Sequence, residues 1–139
     1  MKNKLKVVLD TNVLLVSISS RSKYHWIFQE LLDGTYDLFV TNGILLEYEE
    51  IIGAKFNSQV ARDVLRVLLM LPNVHETNVY FEWNLIAADP DDNKFVDCAV
   101  SANADYLVSH DKHFAVLKKV EFPRVQVINV SRFKQLLKK

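Results

Sequence analysis

Asp10, Asp92 and Asp111, with Glu47 as a fourth, are the residues whose type and setting point to chemistry in this chain. Leu5 to Leu9 is a short apolar run that stops at Asp10, and Tyr106 to Ser109 is a second such run with Asp111 just beyond it. A branched apolar run of this length reads as a buried parallel strand. Acids at its carboxyl end fall where the loops and helix starts of an open sheet converge. Taken alone, Asp10 and Asn12 read equally well as backbone-bonding residues of a strand-to-helix turn. The recurrence at Asp111 asks for one explanation of both. In the stretch Ala88-Asp89-Pro90-Asp91-Asp92-Asn93-Lys94-Phe95-Val96-Asp97, Asp89 before Pro90 reads as a helix cap, and Asp91 suits the positive end of the helix dipole. Asp92 needs another account. On a helical wheel it shares the stripe of Phe95, Val96, Ala99 and Ala102, and a carboxylate on an apolar face requires a partner or a metal. Asp97 falls about 140° away on the wheel and is expected to face solvent.

Should these acids converge, their mutual repulsion must be offset. Two charges 4 Å apart repel by about 1 kcal/mol in water and about 4 kcal/mol at an effective dielectric of 20. The motifs are read as supplying no lysine or arginine partner, which leaves divalent cations as counter-ions. Oxygen-only ligands select Mg²⁺ or Mn²⁺ over zinc. His110 and His113 stand near Asp111 without a third soft ligand, so they read as surface histidines and not as a zinc site. A metal in such a pocket acidifies a water and stabilises charge on a phosphodiester, which makes a nuclease the leading hypothesis.

Helices alternating with strands must position the four acids, and this pattern implies an α/β fold: a three-layer sandwich with a mainly parallel central sheet flanked by helices. Val13 to Ser20 reads as a short helix or turn entering a loop at Arg21 to Lys23. Trp26, Ile27, Leu31 and Leu32 mark a helix stopped by Asp33-Gly34. Asp37 to Thr41 reads as a strand, with Thr41 or Asn42 capping the next helix. That helix carries Ile44, Leu45, Tyr48, Ile51 and Ile52 on one face and Glu47 at its border, where a solvated glutamate is the default and reach into a crevice the alternative. Val60 to Leu71 is a further amphipathic helix closed by Pro72, whose Arg62 and Arg66 read as surface charges or phosphate contacts, and whose extra apolar residues read as core or a dimer face. Val74 to Val79 has strand character. Phe114 and Leu117 lie on a short helical turn, Val125 to Val130 reads as the last strand, and Ser131 as the cap of a terminal helix with Phe133, Leu136 and Leu137 inward.

Half of the 139 residues are hydrophobic and only three are Gly and three Pro. That composition fits one domain spanning residues 1–139 and argues against linkers. Asp10, Thr11 and Asn12 interrupt the early apolar run before it reaches signal-peptide length, and no run is long enough to span a membrane, so the expected location is the cytoplasm. The single cysteine, Cys98, sits among apolar residues and reads as a buried structural thiol. The formal charge of zero conceals a division: residues 1–9 and 112–139 hold eleven Lys and Arg against one acid, and residues 10–111 hold six against sixteen. A basic rim beside an acidic pocket suits a metal-dependent enzyme acting on a polyanion, although Lys138 and Lys139 read as solvated ends.

Val7-Val8-Leu9-Asp10-Thr11-Asn12-Val13, Leu46-Glu47-Tyr48-Glu49-Glu50, Asp89 to Phe95 and Ala104 to Asp111 resemble, in order and spacing, the successive motifs of PIN domains. The likeness runs over nearly the whole chain and is greatest to the stand-alone bacterial and archaeal proteins assigned as toxins of toxin-antitoxin pairs. It implies a Mg²⁺- or Mn²⁺-dependent endoribonuclease with Asp10, Glu47, Asp92 and Asp111 as catalytic, metal-binding acids, supported by Asn12 and the Ser109 hydroxyl. It also implies an RNA substrate, a separately encoded protein antitoxin, and homodimers. Many relatives have threonine and glycine where this chain has Ser109 and His110.

Three other classes compete. Aspartyl-phosphate phosphohydrolases also place Asp at the end of the first strand, but as Asp-x-Asp, and Asn12 removes their general acid. A receiver-like signalling domain needs a phosphate-accepting Asp on a mid-chain strand. A non-catalytic RNA- or protein-binding module of the same fold needs no acids, whereas this chain has all four.

Overall fold

A computed structural model describes residues 4–138. Lys139 lies outside them; Lys138 is exposed, as a solvated end should be. Five strands, β1 (Leu5–Leu9), β2 (Tyr36–Val40), β3 (Val74–Glu76), β4 (Tyr106–Val108) and β5 (Val127–Ile128), form one parallel sheet in the order β3-β2-β1-β4-β5. Six α-helices accompany them: α1 (Thr11–Ser17), α2 (His25–Leu32), α3 (Asn42–Lys55), α4 (Ser58–Met70), α5 (Asn93–Ala102) and α6 (Val130–Leu137). Val7, Val8 and Leu9 are all fully buried although successive strand residues point to opposite faces, so helices cover both sides of β1. The three-layer sandwich expected from the sequence is the fold observed. Among the described residues no helix is long and apolar enough to cross a membrane.

Three helix starts have a local cause. Thr41, Asn57 and Asn129 accept hydrogen bonds from Ile44, Val60 and Arg132 backbone N–H groups at 3.2, 2.9 and 2.8 Å, capping α3, α4 and α6. Asn129 thus takes the role expected of Ser131, because β5 ends two residues earlier than the apolar run suggests and α6 begins at Val130. Gly34, at φ +76°, ends α2 in the left-handed region where a side chain would be strained. β3 is shorter than the Val74 to Val79 reading; beyond Glu76 the chain leaves the sheet edge as an irregular segment running to Asp89. On α2, Leu32 is exposed where the pattern placed it inward. Arg62 and Arg66 are exposed and bond Gln59 and Asp63 on their own helix, so they are surface charges.

Cys98 is buried, and burial pushes its thiol up to about 12. Asp97 contradicts the wheel: it is buried, with its carboxylate accepting the Trp83 backbone N–H at 3.1 Å. The irregular segment between β3 and Asp89 covers the side of α5 that the wheel assigned to water. Asn93 pins the same segment, exchanging hydrogen bonds with the N–H and C=O of Ile86 at 2.8 and 3.0 Å.

Candidate active site

The carboxyl ends of β1 and β4 lie side by side at the middle of the sheet, and the site grows from that adjacency. Asp10 follows β1 directly and caps α1, its carbonyl accepting from Val13 and Leu14 and its N–H donating to Val108 of β4 at 3.1 Å. Ser109 follows β4. Its buried hydroxyl donates to Asp10 Oδ2 at 2.7 Å and accepts the Asp111 backbone N–H at 2.9 Å. One hydroxyl therefore joins the two strand ends and sets both acids.

Glu47 comes from α3, which is fastened to β1 by the buried Tyr48 hydroxyl donating to the Leu9 carbonyl at 2.6 Å. That bond brings Glu47 beside Asp10. Its carboxylate accepts from Thr11 Oγ1 and pairs with Lys94 Nζ. Lys94 supplies the internal cation that the sequence reading held to be missing, two residues after Asp92 on the first turn of α5. Asp92 closes a short 3-10 turn, Pro90–Asp92, that Asp89 caps through the Asp91 N–H at 3.1 Å. The expected capping by Asp89 and inward placement of Asp92 are both seen, the latter residue being buried.

His113 completes the ring. It lies on a 3-10 segment, Lys112–Lys119, anchored by buried Phe114 and Leu117, and its Nδ1 stands 3.2 Å from Asp92 Oδ2 and 3.5 Å from Asp111 Oδ1. The surface-histidine reading is thus corrected for His113. His110 is exposed, and its Nε2 accepts the Val130 N–H at 3.2 Å. Only a fold-back of the chain after Asp111 turns His113 toward Asp92, and spacing alone carried no signal of that.

The electrostatics follow from crowding. Burial, chiefly, and then the charges of Asp111 and Glu47 raise the Asp10 carboxyl above its ordinary value, against hydrogen bonds from Ser109 and the Thr11 backbone that lower it. Asp92 is likewise raised by burial and by Asp111, Asp89 and Asp10, against the lowering contact with His113. Asp10, Glu47, Asp92 and Asp111 therefore share one electrostatic neighbourhood. A divalent cation relieves both causes of these shifts, and the donors are mostly hard carboxylate oxygens, so the residues fit Mg²⁺ or Mn²⁺. Beside them, a cleft of about 300 Å³ is lined by Asp10, Asn12, Val13, Tyr24, His110 and Asp111 among others, with Asn12 exposed toward it. Glu47 and Asp92 do not line this cleft.

A five-stranded parallel sheet with a buried Asp10 at the end of its central strand and a half-buried Asp111 just beyond the adjacent one defines an α/β protein whose site lies at the carboxyl edge of the sheet. The sequence model of the PIN domain matches residues 6–113, and the chain belongs to the PIN domain family. No curated protein matches it in sequence. Among solved structures it is similar to VapBC2 from Rickettsia felis bound to a DNA fragment from their promoter, at 16% identity and a TM-score of 0.62, with 90% of this chain and 98% of that one covered. It is also similar to the PIN domain of T. brucei RRP44, at 9% identity and a TM-score of 0.55, with 96% and 80% covered. At these identities the likeness is one of fold.

Proposed function

We propose that the protein is a metal-dependent endoribonuclease, the toxin of a toxin-antitoxin pair, acting in the cytoplasm as a single PIN domain over residues 1–139. The observation that carries this reading is the ring of contacts that draws Asp10, Glu47, Asp92 and Asp111 together from two strand ends and two helices. Membership in the PIN domain family supports it. The toxin role and a separate protein antitoxin draw on the motif resemblance, and the likeness to a VapBC assembly agrees with them. The exposed Leu69 and Met70 at the end of α4 offer a face for a homodimer.

Asp10, Glu47, Asp92 and Asp111 would hold one or two Mg²⁺ or Mn²⁺ ions. A metal held there would supply an acidified water and charge stabilisation for a phosphodiester. The chain's own groups prepare that site. Ser109 orients Asp10 and favours its charged form, Thr11 fixes Glu47, and Lys94 sits where its ammonium can meet a phosphate oxygen once Glu47 has another counter-ion. Asn12 faces the cleft where a substrate strand would lie.

The Lys94–Glu47 pair also fits a binding module that uses no metal, since it neutralises one acid internally. Calorimetric titration of Mn²⁺ to millimolar concentration into wild type, Asp10→Asn and Asp92→Asn separates the two readings, followed by cleavage of single-stranded RNA with and without chelator. Binding lost in both variants, together with chelator-sensitive cleavage, is the expected result. Absence of both metal binding and cleavage assigns the protein to the module, and binding and cleavage that ignore both substitutions overturn the assignment of these acids as the metal site.

A further inference from the structure

We propose that His113 is a nitrogen ligand at the acid cluster, forming with Asp92, Asp111 and Asp89 a position for a first-row transition-metal dication, and that it gives the centre a preference for Mn²⁺ over Mg²⁺. The inference rests on the reading of these acids as a metal centre and adds to it a donor of a different chemical kind.

The donor atoms lie close enough to close around a cation. One donor atom from each of Asp89, Asp92 and His113 lies within 4.8 Å of the others, and His113 Nδ1 is 3.2 Å from Asp92 Oδ2 and 3.5 Å from Asp111 Oδ1. Around an octahedral dication with donors at about 2.1 Å, adjacent donors are about 3.0 Å apart and opposite ones about 4.2 Å. The observed separations between Nδ1 and the two carboxylates match adjacent positions with little adjustment. The backbone beneath the imidazole is also held in place. The His113 backbone N–H donates to Asp111 Oδ1 at 2.9 Å, and buried Phe114 follows it in sequence, which keeps this residue beside the acids.

The chemistry of the donor decides the metal. Mg²⁺ is a hard cation that gives up its waters reluctantly and takes oxygen ligands, so an imidazole adds little to its binding. Mn²⁺ accepts both oxygen and imidazole nitrogen, and Zn²⁺ binds such mixed sets more tightly still. A purely carboxylate ring would serve Mg²⁺ and Mn²⁺ alike; this ring contains one nitrogen aimed at two of its acids.

The opposing role for His113 is that of a protonated counter-ion to Asp92 and Asp111, and it makes the opposite prediction. A metal would then have to displace the imidazolium, and removing His113 would tighten metal binding. Mn²⁺ and Mg²⁺ titrations of wild type, His113→Gln and His113→Ala, with pulsed electron paramagnetic resonance of the Mn²⁺-loaded protein, distinguish the two. The expected result is Mn²⁺ bound at least roughly tenfold more tightly than Mg²⁺ by wild type, and a loss of roughly tenfold in Mn²⁺ affinity in both variants with Mg²⁺ affinity nearly unchanged. A nitrogen hyperfine coupling should appear in wild type and vanish in the variants. That coupling is read on the native chain, so it decides the matter even where a variant fails to fold. Unchanged or tighter Mn²⁺ binding in a folded variant, or metal binding without nitrogen coupling, overturns the His113 assignment and leaves the metal centre standing. Failure of wild type to bind either ion, or binding indifferent to Asp10→Asn and Asp92→Asn, overturns the metal centre as well.

Discussion

Ser109 does more at the site than any other single uncharged residue, because its hydroxyl serves two acids from two strands. Its donation to Asp10 opposes the burial that raises that carboxyl. In Ser109→Ala the Asp10 carboxyl loses the hydrogen bond that lowers it and rises further, so it takes up its proton at a higher pH than in wild type. The acid limb of the pH profile of kcat/KM for RNA cleavage is expected to move to higher pH. Loss of the two hydrogen bonds also costs about 1–2 kcal/mol of stability, read by urea denaturation. A threonine there keeps the hydroxyl and should restore the profile. His110, by contrast, shapes its surroundings by accepting the Val130 N–H at the start of α6.

At the scale of elements, what the sequence revealed and what it hid divide by range. Periodicity was sufficient for α3, because Ile44, Leu45, Tyr48 and Ile52 face the core in one stripe and Thr41 caps it locally. The strand ends at Asp10 and Asp111 were equally plain, since an apolar run that stops at an acid is a local signal. The differences at and around the site involve contacts between distant segments. The wheel assigns Asp97 to solvent because it knows only its own helix, not the segment that returns across it through Trp83 and Ile86. Lys94 and His113 join the acid ring through residues 47 and 21 positions away. The hydrophobic pattern places the cap at Ser131, whereas the true end of β5 depends on pairing with β4 and not on hydrophobicity. Asn129→Ala is therefore expected to cost about 1 kcal/mol through loss of the α6 cap, with Ser131→Ala near zero, both measured by chemical denaturation.

For the whole molecule, three buried aspartates set the response to pH. Asp10, Asp92 and Asp97 are all raised above the ordinary carboxylate value of 3.8, each chiefly by burial. Between that value and the raised folded-state values, the native chain binds more protons than the unfolded one. Stability of the metal-free protein should therefore fall as pH rises through this interval and level off above it. Asp97 tests the sign cleanly, lying outside the acid ring. Asp97→Asn keeps an oxygen for the Trp83 N–H and removes the buried charge, so denaturation in chelator should show a gain at pH 7 that shrinks as pH falls toward the ordinary carboxylate value.

The central position of β1 has a consequence for how the chain comes into being. Its partner on one side, β2, follows within the same third of the sequence, with Leu5 beside Tyr36. Its partner on the other side comes much later: Lys6 bonds Asp105, and Ser109 bonds Asp10, each 99 residues apart. During synthesis from the amino terminus, β1 and β2 can form early, but one edge of β1 stays open until β4 arrives. A nascent or truncated chain ending before Tyr106 carries Asp10 on that open edge, with neither Ser109 to orient it nor Asp111 to face it. The acid ring is thus a late product of translation, and fragments that retain most of the sequence are expected to be inert and prone to pair with one another along β1.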